Sequence, residues 1–190
     1  MVGSPQNRIF EPYERIGIIA RWQPVHLGHV PVLKALCKCS LQALIGIGSS
    51  NRYNLRNPFT LDERIDMLHL VLSEWNNYTL IPVPDLDNGP RWREQVKNIF
   101  GGLDRFVTDN PYVASLLADD YRIIKPVTLI HENQQIAVDG SLVRKAMAQG
   151  EGWQALVPNE IEDFITIRRL DERFRREFGL QTLALETIKK

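Results

Sequence analysis

Two histidines, His26 and His29, stand three residues apart in a short run bounded by prolines at positions 24 and 31. The apolar run Ile16–Ala20 precedes them, and a segment with apolar residues at helical spacing follows from Val30. This pattern predicts a strand, a turn and a helix, with both imidazoles on one face of the opening turn of the helix. The first N–H groups of a helix lack partners and its dipole favours anions there, so we predict that the pair binds phosphate.

Other roles for the two histidines are less favoured. One histidine near a helix start is more often a cap or a packing residue, but a pair between a strand and a helix favours the phosphate site. Zinc binding is disfavoured because the remaining histidines, His69 and His131, are far along the chain, and zinc sites use three or four ligands. We therefore expect no metal ion held by side chains alone.

The composition limits the class of protein. A chain of 190 residues suits a single domain, and Lys plus Arg equals Asp plus Glu at 23 each, so no global field would attract nucleic acid. Residues 1–13 lack the features of a signal peptide, and no apolar run approaches the ~20 residues that span a bilayer. We expect a cytoplasmic protein that binds no membrane. The two cysteines, Cys37 and Cys39, are too close in sequence for an easy disulfide and are interpreted as a core residue and an incidental one.

Predicted strands and helices alternate along the chain, which indicates a doubly wound parallel α/β sheet of the Rossmann-like type. A capping box, Thr60–Glu63, opens the second helix. The predicted strands cover 16–20, 41–48, 78–83, 105–108 and 121–125, and the predicted helices between them start near 30, 61, 92 and 110. After a loop to residue 138, helices are expected over 141–149 and 159–169, followed by a charged tail. Its arginines alternate with acids, so we expect a solvated or subunit-facing helix there rather than a polyanion site. These arginines are Arg168, Arg169, Arg173, Arg175 and Arg176. We expect one domain over 1–190, with an α/β core over about 14–126 and a helical part over about 139–190.

Four polar regions are expected at the carboxyl edge of this sheet, where such folds bind their ligands. They are Arg21–His29, Ser49–Thr60 with its two arginines, Asp85–Trp92, and Asp139–Lys145 with Ser141 and Arg144 at a second helix start. Two helix starts that hold phosphate, without a nucleophile elbow or a Gly-x-x-x-x-Gly-Lys loop, argue against hydrolysis and against a Walker-type kinase. They favour a reaction in which one bound phosphate attacks another.

With its His-x-Gly-His run and its later Ser-x-x-Arg run, the chain resembles the nucleotidylyltransferase superfamily. Within it, the chain is similar to the archaeal-type nicotinamide-mononucleotide adenylyltransferases over about 15–167. The runs that carry this likeness are Arg21–His29, Ile45–Ser49, Asn57–Thr60 with Glu63 and Arg64, Ile81–Asp85, Trp92, Ser141–Arg144 and Gly152–Pro158.

The resemblance implies that the 5′-phosphate of a mononucleotide attacks the α-phosphorus of ATP, which gives NAD and pyrophosphate. The partners would be ATP and the mononucleotide, with Mg²⁺ bound through the ATP phosphates, and we expect a homo-oligomer. The implied roles are catalysis by His26, His29 and Arg144, ATP binding by Arg21, Gln23, Gly28, Ser141 and Lys145, and mononucleotide binding by Arg56, Asp85, Trp92 and Asn110. An aromatic face at Trp92 suits stacking on a pyridine ring, although helix packing is the simpler role for it.

The chain departs from the family pattern at a few positions. Ala20 replaces a usual glycine and Ser141 a usual threonine. Gly89 stands where relatives carry an asparagine, and Asp109 where they carry a glycine. Three alternatives therefore stay open. They are adenylyl transfer to nicotinate mononucleotide, phosphopantetheine or flavin mononucleotide; a nucleotide sensor without turnover; and a class I aminoacyl-tRNA synthetase, which the short chain and the lack of a basic face disfavour.

Overall fold

A five-stranded, fully parallel sheet forms the centre of the computed structural model, which describes residues 11–188. The strands are β1 Tyr13–Ala20, β2 Ser40–Gly48, β3 Tyr78–Val83, β4 Arg105–Val107 and β5 Ile123–Ile124, in the order β3-β2-β1-β4-β5. Their register aligns the carboxyl ends, since Ala20 lies opposite Ile47 and Gly48 opposite Val83. The predicted doubly wound Rossmann-like sheet is confirmed. Nearly all of the N-terminal segment interpreted above lies outside the described residues.

Helices follow the strands in the predicted alternation. They are α1 Val30–Lys38, α2 Leu61–Val71, α3 Gly89–Phe100, α4 Pro111–Leu117, α5 Gly140–Gln149, α6 Asn159–Ile167, α7 Leu170–Phe174 and α8 Leu180–Ile188, with a π-helical turn at Arg175–Gly179. Two short 3-10 turns, at Pro126–Leu129 and Glu132–Gln134, occupy the predicted loop before α5. None of the helices within 11–188 is long and apolar enough to cross a membrane.

Side-chain caps set the helix starts. Thr60 and Glu63 form the predicted capping box at α2. The prediction that the third helix begins at Trp92 is wrong, because the Asn88 side chain accepts a hydrogen bond from the Arg91 N–H and starts α3 three residues earlier. The predicted fifth strand is also shorter than expected, with only Ile123 and Ile124 pairing to β4.

The apolar core lies on both faces of the sheet. Ile18, Ile45 and Val107 belong to one cluster, whereas Leu44 and Phe106, their neighbours in alternating positions, belong to a second cluster with α3 and α4. Buried residues of the C-terminal helices, among them Trp153, Ile161 and Phe174, join the first cluster. This continuity supports our proposal that the chain is one domain.

An ion pair ties α7 to the capping box of α2. Arg173 Nη1 lies 2.5 Å from Glu63 Oε1, and Arg173 Nη2 lies 2.7 Å from Glu63 Oε2 and 3.0 Å from the Pro58 carbonyl oxygen. The Arg173 and Glu63 side chains are only 23% and 12% exposed. The expectation that this arginine-rich segment forms a solvated or subunit-facing surface is therefore wrong for Arg173. Glu63, which is 110 residues away in the sequence, pairs with the Arg173 side chain in the fold. The spacing of residues near Arg173 gives no indication of this contact.

We expect Arg173→Gln to lower the free energy of unfolding by about 3 kcal/mol, because it leaves the Glu63 carboxylate largely buried without its counter-ion. Urea titration followed by circular dichroism measures the change. Arg176→Gln is the matched control, since Arg176 is 72% exposed and its pair with Glu177 should contribute little. Equal decreases in the free energy of unfolding of the two variants would contradict the stabilising role of the Arg173–Glu63 ion pair.

Candidate active site

A cavity of about 790 Å³ opens at the carboxyl edge of the sheet, within the size range of small-molecule sites. It brings together residues from all four predicted regions. The predicted site residues in its wall are Arg21, Gln23, His26, Gly28, His29, Asp85, Trp92, Asn110 and Arg144.

Three predicted residues, Arg56, Ser141 and Lys145, lie outside the cavity wall. The Ser141 hydroxyl accepts a hydrogen bond from Arg144 Nη2 at 3.3 Å. Arg56 is exposed but near enough to Arg144 for its charge to lower the pKa of that side chain. Lys145 follows Arg144 on α5 and is half-buried. Ser141 and Arg56 thus lie near Arg144 without forming the cavity surface.

The two imidazoles stack face to face. Their ring centroids are 3.5 Å apart with the planes 24° from parallel, and the Trp22 ring meets His29 edge-on at 4.7 Å. The prediction that both lie in the opening turn of a helix is wrong. His26 lies in the turn before α1 and His29 is its N-cap, since the helix starts only at Val30. The turn and the stacking, rather than helical spacing, bring the rings together.

A backbone hydrogen bond orients His29. The His26 N–H donates to His29 Nδ1 at 3.3 Å, so in a neutral ring the His29 proton is on Nε2. Burial lowers the pKa of His26 to about 4, with the Asp139 charge opposing and the Arg144 charge reinforcing the shift. Burial also lowers the pKa of His29 well below its usual value, and His26 adds to this. Both rings are therefore neutral near pH 7, and each can donate one N–H to a phosphate oxygen.

Arg144 brings a buried positive charge to the same end of the cavity. It is 8% exposed, and its Nη1 donates to the Gln23 carbonyl oxygen at 2.7 Å. Burial lowers its pKa to about 10, with the Arg21 charge acting in the same direction, so the guanidinium stays charged at neutral pH. A buried cation without a carboxylate bonded to it is a strong site for an anion.

The start of α5 differs from the predicted anion site. The Asp139 carboxylate caps the helix by accepting from the N–H groups of Ser141 and Leu142, at 2.7 and 2.9 Å. The prediction that those N–H groups are free for phosphate is therefore wrong. Asp139 is itself the preferred type of N-cap residue, so the helix satisfies its own donors.

Gly28 has a different neighbour from the one expected. A Cβ at this position would lie 2.6 Å from the Val138 carbonyl oxygen and 3.1 Å from that of Ile136. The glycine therefore allows the loop before α5 to approach the histidine turn, and this contact by itself requires that position 28 has no side chain. Gly140 has the same function, since a Cβ there would lie 3.0 Å from the Gln23 carbonyl oxygen.

Gln23 positions the site through the backbone. Its side-chain amide donates to the Phe59 carbonyl oxygen at 3.0 Å and accepts from the Phe59 N–H at 2.9 Å, and the residue is 3% exposed. Both polar ends of the predicted ATP-binding side chain are thus engaged inside the protein.

Sequence reasoning missed Trp22 as a second positioning residue. Its indole N–H donates to the Gly46 carbonyl oxygen at 2.9 Å, and a tryptophan beside the motif was the only signal for it.

The opposite end of the cavity is aromatic and acidic. Trp92 lies in the first turn of α3, where it both lines the cavity and packs against the second core cluster. Asp85, Asp87 and Asp109 also line the cavity. Arg52 pairs with Asp85 at 3.7 Å and more closely with Asp87.

Asn110 is partly committed to the fold. Its side-chain oxygen caps α4 by accepting from the N–H groups of Tyr112 and Val113. Only its amide N–H groups are left for the predicted contact with a mononucleotide.

The sequence profile of the cytidylyltransferase-like family matches residues 18–159, which contain the histidine pair and Arg144. The chain belongs to this family. Nicotinamide-nucleotide adenylyltransferase of Methanococcus vannielii is 34% identical over 168 residues, which cover 84% of this chain and 96% of the relative. The protein of the same name from Thermococcus onnurineus is 34% identical over 152 residues, or 77% of this chain and 79% of the relative.

Among solved structures, the fold is similar to a bifunctional NMN adenylyltransferase/ADP ribose pyrophosphatase from Francisella tularensis, complexed with AMP and a manganese ion. The TM-score is 0.68 at 18% identity, and the match covers 92% of this chain but only 56% of that protein. At this identity the likeness to the bifunctional protein concerns the fold.

Because the two histidines are buried, we expect the free energy of unfolding to decrease as the pH falls. Burial lowers the pKa of His26 from 6.5 to about 4, so between these values the unfolded chain binds a proton that the folded chain does not. The free energy of unfolding should decrease by about 3 kcal/mol from this group as the pH falls through that window.

Urea titrations between pH 7 and pH 4 measure this slope. His26→Gln should flatten the slope, whereas the control His69→Gln, which changes an exposed ring bonded to Tyr78, should leave it unchanged. An unaltered slope in His26→Gln would contradict the role of burial.

Proposed function

We propose that the protein transfers the adenylyl group of ATP to nicotinamide mononucleotide, which gives NAD and pyrophosphate. The observation that carries this proposal is one cavity with two chemically different ends. A phosphate end has the stacked histidines and Arg144, and an aromatic, acidic end has Trp92. A reaction that joins two nucleotides needs both. The archaeal relatives named nicotinamide-nucleotide adenylyltransferase support the same reaction.

In the proposed reaction, an oxygen of the mononucleotide 5′-phosphate forms a bond to the α-phosphorus of ATP. The bond from that phosphorus to the bridging oxygen breaks, and pyrophosphate leaves with the electron pair. No covalent enzyme intermediate is required, so catalysis consists of positioning and of stabilising the charge that develops on the phosphates. His26, His29 and Arg144 are the donors that we assign to this charge.

The protonation state of the two imidazoles before ATP binds suits this assignment. Two buried neutral imidazoles keep the cavity free of excess positive charge before ATP binds, and each can donate a hydrogen bond to a phosphate oxygen. Because they are held by stacking and by the His26 N–H, they do not reorganise when charge develops. Arg21, Ser141 and Lys145 are proposed to bind the outer phosphates of ATP, and Arg56 the phosphate of the mononucleotide. Gln23 and Gly28 hold the turn in place.

A divalent cation, which we infer to be Mg²⁺, fits this site as a partner of ATP. When bound, it neutralises triphosphate charge and stabilises the leaving pyrophosphate. Across 11–188, His, Cys, Asp and Glu side chains do not come together in a group of three that could hold a metal. The fit is therefore to a cation coordinated mostly by phosphate oxygens and water.

The acidic end favours a nicotinamide ring over a nicotinate ring. The N-glycosylated pyridine ring is a cation, which the Asp109 carboxylate attracts most, because Arg52 offsets the charges of Asp85 and Asp87. A nicotinate ring adds a carboxylate that the same groups repel. Arg52 is engaged with Asp85 and Asp87, and Asp109 makes no ion pair with another described residue. We assign stacking on the ring to Trp92 and contacts with the mononucleotide to Asp85 and Asn110.

We also propose that the protein is a homo-oligomer. Ile167 at the end of α6 and Leu180 at the start of α8 are 79% and 86% exposed. A contact between subunits that covers these side chains would remove their apolar surface from water.

The purified protein should form NAD and pyrophosphate when incubated with ATP, Mg²⁺ and nicotinamide mononucleotide. Mass spectrometry of the products, in parallel reactions with nicotinate mononucleotide, flavin mononucleotide and phosphopantetheine, measures acceptor choice. Product from a non-pyridine acceptor alone would overturn the pyridine assignment but keep adenylyl transfer. Nucleotide binding without product from any acceptor would favour the sensor.

His29→Ala should lower kcat by about 100- to 1,000-fold while changing the Kd for ATP much less, because a donor aimed at developing charge acts mainly in the transition state. Steady-state kinetics and calorimetric ATP titration separate the two effects. His69→Ala, an exposed histidine outside the cavity, is the control. A folded His29→Ala protein with wild-type kcat would rule out the proposed role.

A further inference from the structure

Gly89, the first residue of α3, has the hydroxyl of Tyr112 against it. A Cβ at position 89 would lie 2.5 Å from Tyr112 Oη and 3.3 Å from a methyl group of Leu116. No residue with a side chain fits at position 89 unless Tyr112 moves. The missing side chain of Gly89 is thus what lets the phenol of α4 rest on the first turn of α3.

The Tyr112 side chain is available to a ligand. The residue is 61% exposed and lines the cavity, and its hydroxyl makes no hydrogen bond to any residue within the described range. It is also close to Trp92, because Gly89 and Trp92 are three residues apart on α3 and share one face of the helix. The phenol and the indole therefore form neighbouring parts of one wall.

This wall belongs to the acceptor end of the cavity. Trp92, Val113 and Leu116 pack against the second core cluster, on one face of the sheet. Trp22, Val25 and Val143, which flank the histidines and Arg144 in sequence, pack in the first cluster on the other face. A ligand group beside Tyr112 therefore lies across the sheet edge from the groups that we assign to the ATP phosphates.

We propose that Tyr112 is a specificity-determining residue for the acceptor: its hydroxyl donates a hydrogen bond to the carboxamide oxygen of nicotinamide mononucleotide. The inference rests on the proposed function, since it takes the acceptor to be a pyridine mononucleotide. The contact depends on Gly89, because only a glycine there leaves the hydroxyl in its place. The carboxamide offers both a carbonyl acceptor and an N–H₂ donor, and the donor would face the acidic end formed by Asp87 and Asp109.

The first test removes the hydroxyl alone. Tyr112→Phe should raise the KM and the calorimetric Kd for nicotinamide mononucleotide about five- to tenfold, the usual effect of losing one hydrogen bond to a ligand. The KM for ATP should stay within twofold of wild type. Tyr78→Phe is the matched control, because it removes a phenolic hydroxyl at the amino end of β3, away from the cavity edge.

The second test keeps the hydroxyl and moves it. Gly89→Ala should raise the same KM and Kd, because the new Cβ displaces Tyr112 Oη. Its melting temperature should be equal to or above that of wild type, since alanine favours a helix more than glycine does. Gly102→Ala is the control, because a Cβ at Gly102 has no atom within 4 Å. A loss of acceptor affinity without a loss of stability is a result that a merely structural role for Gly89 does not produce.

The double variant decides whether the two changes act through one group. If they do, Gly89→Ala should change the Kd for nicotinamide mononucleotide much less in the Tyr112→Phe background than in wild type. The inference is overturned if both single variants bind nicotinamide mononucleotide within twofold of wild type, or if the KM for ATP rises instead. It is also overturned if the fold-change in Kd of the double variant equals the product of the fold-changes of the two single variants.

Calorimetry separates this inference from the proposed function. A wild-type protein that binds nicotinamide mononucleotide but makes no NAD refutes the reaction, and the Kd values of the variants still decide the role of Tyr112. A wild-type protein that does not bind this mononucleotide refutes both. If the wild-type protein makes NAD and the variants bind nicotinamide mononucleotide with the wild-type Kd, only the role of Tyr112 is refuted.

Discussion

A single buried guanidinium holds the edge of the sheet on which the site is built. Arg64 is fully buried, and its Nη1 donates to the Gly48 carbonyl oxygen at 2.7 Å and to the Arg21 carbonyl oxygen at 3.1 Å. Further bonds reach the carbonyl oxygens of Ser49 and Thr60. Gly48 is the last residue of β2, Arg21 and Ser49 directly follow β1 and β2, and Thr60 caps α2. A buried carbonyl without a partner is costly. Arg64 satisfies these carbonyl oxygens and so fixes where the loops after β1 and β2 begin.

The phosphate end of the cavity depends on that edge through a short series of backbone contacts. Trp22 bonds to Gly46, Gln23 bonds to Phe59 in both directions, and Arg144 bonds to the Gln23 carbonyl oxygen. Among the described residues, the Arg144 guanidinium is thus held by a neutral backbone group and not by a carboxylate, which leaves its charge available to an anion. The same close packing excludes water from the histidines and lowers the pKa of His26 and of His29.

The part of the cavity wall that carries Trp92 and the aspartates is built differently, with charge and aromatic surface near solvent. Arg52 links the loop after β2 to Asp85 and Asp87 in the loop after β3, and Asn51 bonds to both backbone polar groups of Asp85. The loops are therefore fixed by side chains across the sheet edge, while Trp92 and Tyr112 come from helices packed beneath. The phenol of Tyr112 lies where a side chain at position 89 would begin.

The sequence by itself determined the succession of strands and helices along the chain. Apolar periodicity, the Thr60–Glu63 capping box and the run from Arg21 to His29 are local signals. The sequence also indicated the edge of the sheet at which the polar regions meet, since parallel strands bring their carboxyl ends together. Only the tertiary structure decided how those residues are used. The partners of Gln23 and Arg173 are 36 and 110 residues away, the Asp139 cap occupies the predicted anion site of α5, and Gly89 contacts α4. Such contacts depend on packing between distant segments, and the spacing of residues along a chain does not specify them.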